Sequence, residues 1–329
     1  MPKGLLERLS VGVVLGDGGY LLELEKRGYV RGGPFTPEVS LTHPEALLQL
    51  HREFVRAGAE VLQALTFYAS EDKLATVGLG GKVDDINRAA VRVALEAASE
   101  GGALVAGNLS LTWAYDPKDP ASADHVRALF DRQLEVQMDE GIDLVIGETF
   151  TWLGEARLAL ERAKTTGLPV VITMSYERDP QTYEGLTPAE AARTLAGEGA
   201  DVVGINCLRN PGNTLPLMRE VRAAVTGSVA CQPVAYRTPP DQPDFTSLPE
   251  FPFGLDPLQL SRQEMAAYAL AAKEMGVNFI GGCCGTVASH VREMARALGK
   301  QAAEDEALPW HLDYDRPMSA FEYYRHREG

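Results

Sequence analysis

Val202-Val203-Gly204-Ile205-Asn206-Cys207 is a short apolar run that ends on an amide and a thiol. It is too brief for a helix and shows no polar alternation, so it reads as a strand buried on both faces. An amphipathic stretch follows at 214–224, with the spacing of a helix. Strand followed by covering helix is the repeating unit of parallel α/β proteins.

Working outward, the same unit recurs. The apolar runs 11–16, 60–65, 103–107, 144–147, 169–174, 229–232 and 278–281 read as strands. Helices are predicted at 43–57, 84–100, 123–140, 153–165, 188–198, 262–275 and 288–298. Thr42 is the expected cap of the first of these. Thr187 is the expected cap of the fifth, with Pro188 in its first turn. Eight units predict an α/β fold, a (β/α)8 TIM barrel with a short C-terminal extension. A doubly wound open sheet would need a phosphate loop after the first strand. Gly16-Asp17-Gly18-Gly19 lacks that G-x-G-x-x-G spacing. The expected division is a barrel over 1–299 and a tail over 300–329 that packs on the barrel or on a second subunit, leaving a homo-oligomer open. Two Gly/Pro-containing loops, 28–44 and 235–257, interrupt the pattern, and ordered loops of that length are usually functional.

The bulk numbers exclude some partners. The 329 residues carry 31 Lys and Arg against 46 Asp and Glu, a net charge of −15. Such a surface repels phosphate backbones, so nucleic acid is not an expected partner. No apolar run is long enough for a membrane span. The charged N-terminus does not read as a signal peptide, which makes the cytoplasm the expected location.

The chemistry-bearing residues share one position in the pattern. Asp17, Tyr68, Asn108, Glu148, Ser175, Asn206, Cys207, Cys283 and Cys284 all fall at or just beyond the C-terminal end of a predicted strand. In a closed barrel those ends meet on the catalytic face. Cys207 and the adjacent pair Cys283-Cys284 end the sixth and eighth strands, so three sulfurs can converge there. Three thiolates with an open fourth position suit a catalytic Zn²⁺. The flanking Gly281-Gly282 and Gly285 are expected to permit the turns that let neighbouring side chains face one ion. The fourth cysteine, Cys231, reads as a small buried hydrophobe. Asp17 is open to reading as a turn former or a site residue. Glu148 is a salt-bridge partner or the acceptor of a substrate ammonium. Tyr68 caps the barrel or faces a cationic ligand. His51, in mid-helix, reads as a surface or packing residue.

At these positions the chain resembles the homocysteine S-methyltransferase family, most closely its betaine-using branch. The resemblance is carried by Gly16-Asp17-Gly18-Gly19, Gly204-Ile205-Asn206-Cys207 and Gly281-Gly282-Cys283-Cys284-Gly285. Longer runs support it at 24–30 (LEKRGYV), 33–38 (GPFTPE), 50–58 (LHREFVRAG), 66–74 (TFYASEDKL) and 248–255 (LPEFPFGL). It implies a (β/α)8 barrel holding zinc on Cys207, Cys283 and Cys284, with homocysteine and a small methyl donor as substrates. By the same resemblance Asp17 and Glu148 hold the amino-acid end of homocysteine, and Tyr68 lies near the donor. Phe35 and Thr149 stand where the betaine enzymes carry a tryptophan and a tyrosine of their ammonium cage. The implied reaction is methyl transfer from betaine or a related methylammonium compound to homocysteine, giving methionine. A sulfonium donor of the S-methylmethionine type, a barrel that binds zinc and thiol without catalysis, and a domain served by a corrinoid or folate protein are the alternatives.

Overall fold

The computed structural model describes residues 4–300. Among them eight parallel strands form one sheet in the order β1-β8-β7-β6-β5-β4-β3-β2. They are β1 (Val14–Leu15), β2 (Val61–Gln63), β3 (Leu104–Ser110), β4 (Leu144–Phe150), β5 (Val170–Met174), β6 (Val202–Asn206), β7 (Ser228–Gln232) and β8 (Phe279–Ile280). Every strand is followed by a helix, the expected (β/α)8 barrel. The covering helices are Pro44–Arg56, Val83–Ser99, Pro120–Glu140, Leu153–Lys164, Pro188–Gly197, Pro211–Ala224, Arg262–Glu274 and Ala288–Ala297. The tail expected over 300–329 lies, beyond Lys300, outside the described residues.

The strands are buried almost throughout, as their unbroken apolar character requires. One apolar cluster fills the barrel interior, including Val14, Val61, Ala106, Ile146, Val171, Val202, Ala230 and Phe279. A larger one joins the outer strand faces to the helices. Gly204 in β6 is bare for a packing reason. A Cβ there would stand 2.0 Å from the Ala230 carbonyl oxygen of β7.

Three local expectations need correction. Residues 11–13 do not extend β1: Val11 ends a helix, Leu5–Val11, and is 76% exposed, so the strand begins only at Val14. Thr42 does not cap the helix Pro44–Arg56. It closes a separate four-residue helix, Val39–Thr42, its hydroxyl donating to Glu38 O, and His43 holds the cap position without a side-chain bond. The 28–44 stretch is thus partly helical. The Thr187 cap is present in full: Glu190 N–H donates to its hydroxyl, and the Glu190 carboxylate takes the Thr187 N–H.

The seam between β1 and β2 has no strand ladder. Glu60 N–H donates to Leu15 O at 2.8 Å, and the Glu60 carboxylate accepts Leu15 N–H at 2.9 Å. At the C-terminal end of the same seam, Asp17 Oδ2 accepts the Gln63 N–H at 2.7 Å. One backbone bond and two carboxylates therefore stand in for a strand ladder where the barrel closes.

Candidate active site

The loops that carry the two glycine-rich motifs interlock because β1 and β8 are neighbours. Gly19 N–H donates to Thr286 O, and Gly282 N–H to Asp17 O. The glycines serve two different needs. Gly285 has a left-handed backbone, φ 78°, which glycine adopts without cost. Gly282 has no such backbone; a Cβ there would meet the Thr286 hydroxyl at 2.2 Å. Space, rather than backbone freedom, accounts for Gly282.

This packing brings the three thiols together. The Sγ atoms of Cys207, Cys283 and Cys284 lie within 4.8 Å of one another, and Cys207 Sγ is 3.8 Å from Cys284 Sγ. Two sulfurs about 2.3 Å from one tetrahedral ion would stand about 3.8 Å apart. The trio thus fits a single metal ion with a fourth position left over. Hydrogen bonds from Cys283 and Cys284 hold the Cys207 thiol well below the ordinary range, while their own thiols are pushed up. Cys231 lies apart, fully buried in β7 with its thiol pushed up to about 12 by burial, as a hydrophobe should be.

Beside the thiols a pocket is lined by Tyr20, Gln63, Phe67, Asn108, Glu148 and Thr149, among others. Glu148 lies inside β4, which runs on past the expected 144–147 to Phe150, and it has no ion-pair partner among the described residues. Its Oε1 accepts from Asn108 Nδ2 at 2.6 Å and its Oε2 from Asn206 Nδ2 at 2.9 Å. Burial still pushes its carboxyl up to about 8, with the charges of Cys207 and Asp17 adding to the shift. A buried carboxylate held only by neutral amides is an acceptor prepared for a cation.

Asn206 is fully buried and its amide serves the frame. Its Oδ1 accepts from Thr149 N–H and the Thr173 hydroxyl, and its Nδ2 also donates to Thr149 Oγ1. It holds Glu148 and Thr149 in place and does not line the pocket. Asp17 does not line the pocket either. It lies beneath Tyr20, whose hydroxyl donates to Asp17 Oδ2 at 2.5 Å. Burial pushes the Asp17 carboxyl up to about 6 even with that bond.

Phe35, Tyr68, Thr149 and Cys207 all have left-handed backbones, with φ of 50°, 62°, 64° and 55°. For residues with a Cβ this conformation costs energy, and it clusters at functional sites. Phe35 meets Phe251 of the 235–257 loop with ring centroids 6.1 Å apart, so the two long loops join over this region. Tyr68 has the Phe67 ring at 4.3 Å and the Lys73 ammonium at 4.3 Å from its own ring centre. Its ring face therefore already carries a cation. Thr149 lines the pocket beside Glu148 and supplies no ring there.

Sequence reasoning missed Tyr20, Gln63 and His51. Tyr20 directly follows the glycine motif, a signal that could have flagged it. His51 was expected at the surface or in packing. It is completely buried, with Nδ1 3.0 Å from the Tyr20 hydroxyl oxygen.

A parallel barrel with a thiol trio and an isolated carboxylate at its C-terminal mouth has the layout of an enzyme that handles a thiol and an ammonium. The chain belongs to the homocysteine S-methyltransferase family, matching it over residues 14–298. It is 44% identical over 316 residues to betaine–homocysteine S-methyltransferase 1 of Danio rerio, covering 93% of this chain and 78% of that protein. It is 41% identical over 307 residues to an S-methylmethionine–homocysteine S-methyltransferase of Pongo abelii, covering 91% and 82%. The barrel also resembles the metallated form of the Escherichia coli homocysteine methyltransferase MmuM, with a TM-score of 0.69 at 20% identity over 87% of this chain and 96% of that one.

Proposed function

We propose that this protein is a zinc-dependent homocysteine S-methyltransferase, with the barrel over 1–299 as the unit that binds homocysteine. The observation that carries the reading is the thiol trio beside the pocket carboxylate. Cys207, Cys283 and Cys284 would hold Zn²⁺, and the 3.8 Å sulfur spacing supports that ion. Bound zinc supplies a Lewis acid that keeps a substrate thiol deprotonated at neutral pH.

The remaining work falls to the chain's own residues. Glu148 accepts the substrate ammonium, with Asn108 and Asn206 holding both of its oxygens in place. Asp17 adds a second negative charge below. Gly19 lets the pocket wall approach the thiol loop, since a Cβ there would stand 2.9 Å from the Cys283 carbonyl oxygen. The substrate sulfur is then fixed in line with the donor's methyl carbon. The new S–C bond forms with the sulfur electron pair, and the donor's N–C or S–C bond breaks toward the positively charged heteroatom. A neutral amine or thioether leaves, and no protein nucleophile is needed.

Relatives that use betaine and S-methylmethionine lie at similar identity, and Thr149 supplies no ring beside the pocket. The preferred reading keeps betaine or a related methylammonium compound as donor, supported by the Danio rerio betaine relative at 44% identity over 93% of this chain and by Tyr68, whose ring is a face that can hold a cation. The test is methionine formation by the purified, zinc-loaded chain from homocysteine with betaine, dimethylglycine and S-methylmethionine in parallel. Turnover only with S-methylmethionine would move the donor assignment. Homocysteine binding with no turnover on any donor would overturn the enzyme reading. Among the described residues no helix is long and apolar enough to cross a membrane.

A further inference from the structure

Tyr20 lines the pocket, but its hydroxyl is held between two buried groups, Asp17 Oδ2 at 2.5 Å and His51 Nδ1 at 3.0 Å. The directions of both bonds follow from valence. Asp17 also takes the Gln63 N–H on the same oxygen, so it accepts, and the Tyr20 O–H donates. The phenol has only one proton. His51 Nδ1 can then bond the Tyr20 oxygen only as an N–H donor, a tautomer assigned from the network. Burial holds the imidazole down to about 3, so it is neutral and carries that single proton. Its Nε2 is a buried acceptor without a hydrogen-bond partner among the described residues. Burying an unpaired imidazole nitrogen costs stability, and a histidine needed only for packing would be better replaced by an apolar residue. The ring is retained for what Nδ1 does.

We propose that His51 and Tyr20 are positioning residues, forming a one-way hydrogen-bond chain from His51 Nδ1–H through the Tyr20 hydroxyl to Asp17 Oδ2 that locks the Asp17 carboxylate below the pocket for the ammonium of an amino-acid substrate. The inference rests on the reading that the pocket takes homocysteine. The chain ties the helix Pro44–Arg56 to the β1–β2 seam, so the position of Asp17 depends on both elements.

The test is calorimetric homocysteine binding to the zinc-loaded full chain, with zinc content, thermal midpoint and steady-state kinetics, for wild type, Tyr20→Phe, His51→Gln and His51→Leu. Tyr20→Phe is expected to keep its zinc, lose about tenfold in homocysteine affinity, raise KM for homocysteine in proportion and leave donor KM unchanged. His51→Leu is expected to do the same, and His51→Gln, which keeps an N–H donor, to recover part of the loss. Wild-type homocysteine affinity in Tyr20→Phe overturns the proposal. Equal losses in His51→Gln and His51→Leu reduce His51 to packing and overturn its half of the chain. A wild-type protein that binds no homocysteine overturns the functional reading and this inference with it, a pattern distinct from loss confined to the variants.

Discussion

Asp17 Oδ2 accepts the backbone N–H of Gln63 at 2.7 Å, across the one seam of the barrel that has no strand ladder. A residue expected to serve substrate therefore also closes the fold. Asp17→Ala should lose stability as well as homocysteine affinity, because the Gln63 N–H and the Tyr20 hydroxyl would both lose their acceptor. The expected cost is about 2–4 kcal/mol in urea unfolding of the zinc-loaded chain. Unchanged unfolding with lost binding would confine Asp17 to the substrate.

The metal site can be tested directly. Cys207→Ala leaves two thiols where the trio offers three, and should lower zinc content well below one per chain together with methionine formation. Elemental analysis beside the activity assay reads both. Full zinc occupancy in this variant would remove Cys207 from the ligand set.

His51 predicts a pH dependence of stability with a definite sign. Burial lowers its pKa from 6.5 to about 3. The folded state resists a proton that the unfolded chain accepts, so stability present above pH 6.5 is lost as pH falls toward 3. One such group gives at most about 1.4 kcal/mol per pH unit. His51→Gln does not titrate. The stability of wild type relative to this variant should therefore fall by about 2–3 kcal/mol between pH 7 and pH 4. A difference that stays constant over that range would sink the assignment.

Tyr68 predicts a donor-side effect. Its ring is in contact with the Lys73 ammonium, and a quaternary ammonium would be held by the same face chemistry. Tyr68→Ala should raise the KM of a methylammonium donor by roughly three- to thirtyfold and leave homocysteine affinity unchanged. A shift in homocysteine affinity of the same size would place Tyr68 on the other half of the site.

The proximity of the thiols predicts redox sensitivity. Peroxide should form a disulfide within Cys207, Cys283 and Cys284, release zinc and stop turnover, with reductant plus zinc restoring all three. Peptide mapping locates the bond. Inactivation with the three thiols still free would point to damage elsewhere.

The barrel was legible in the residues because periodicity is local. A strand buried on both faces must be apolar from end to end, as in 144–147 and 202–205, and each such run is followed by a helix-spaced stretch. The thiol trio was legible for a related reason. Once strands alternate with helices, strand ends converge, and Cys207, Cys283 and Cys284 each stand at one. Sequence also placed Glu148, since a carboxylate that ends an apolar strand has to find a partner or a purpose. What it could not supply were relations between distant segments. The seam at Asp17 and Gln63 joins residues 46 positions apart. His51 is followed by the charged pair Arg52 and Glu53, so its local context reads as surface or packing; its complete burial beside Tyr20 comes from how the helix Pro44–Arg56 packs. Asn206 reads as a site residue from its motif, and only the tertiary structure shows its amide spent on Glu148, Thr149 and Thr173. Short-range pattern determines which segments become strands and helices, because it reflects which faces must leave water. Which polar groups then meet one another depends on closure of the barrel, a long-range event that no local pattern encodes.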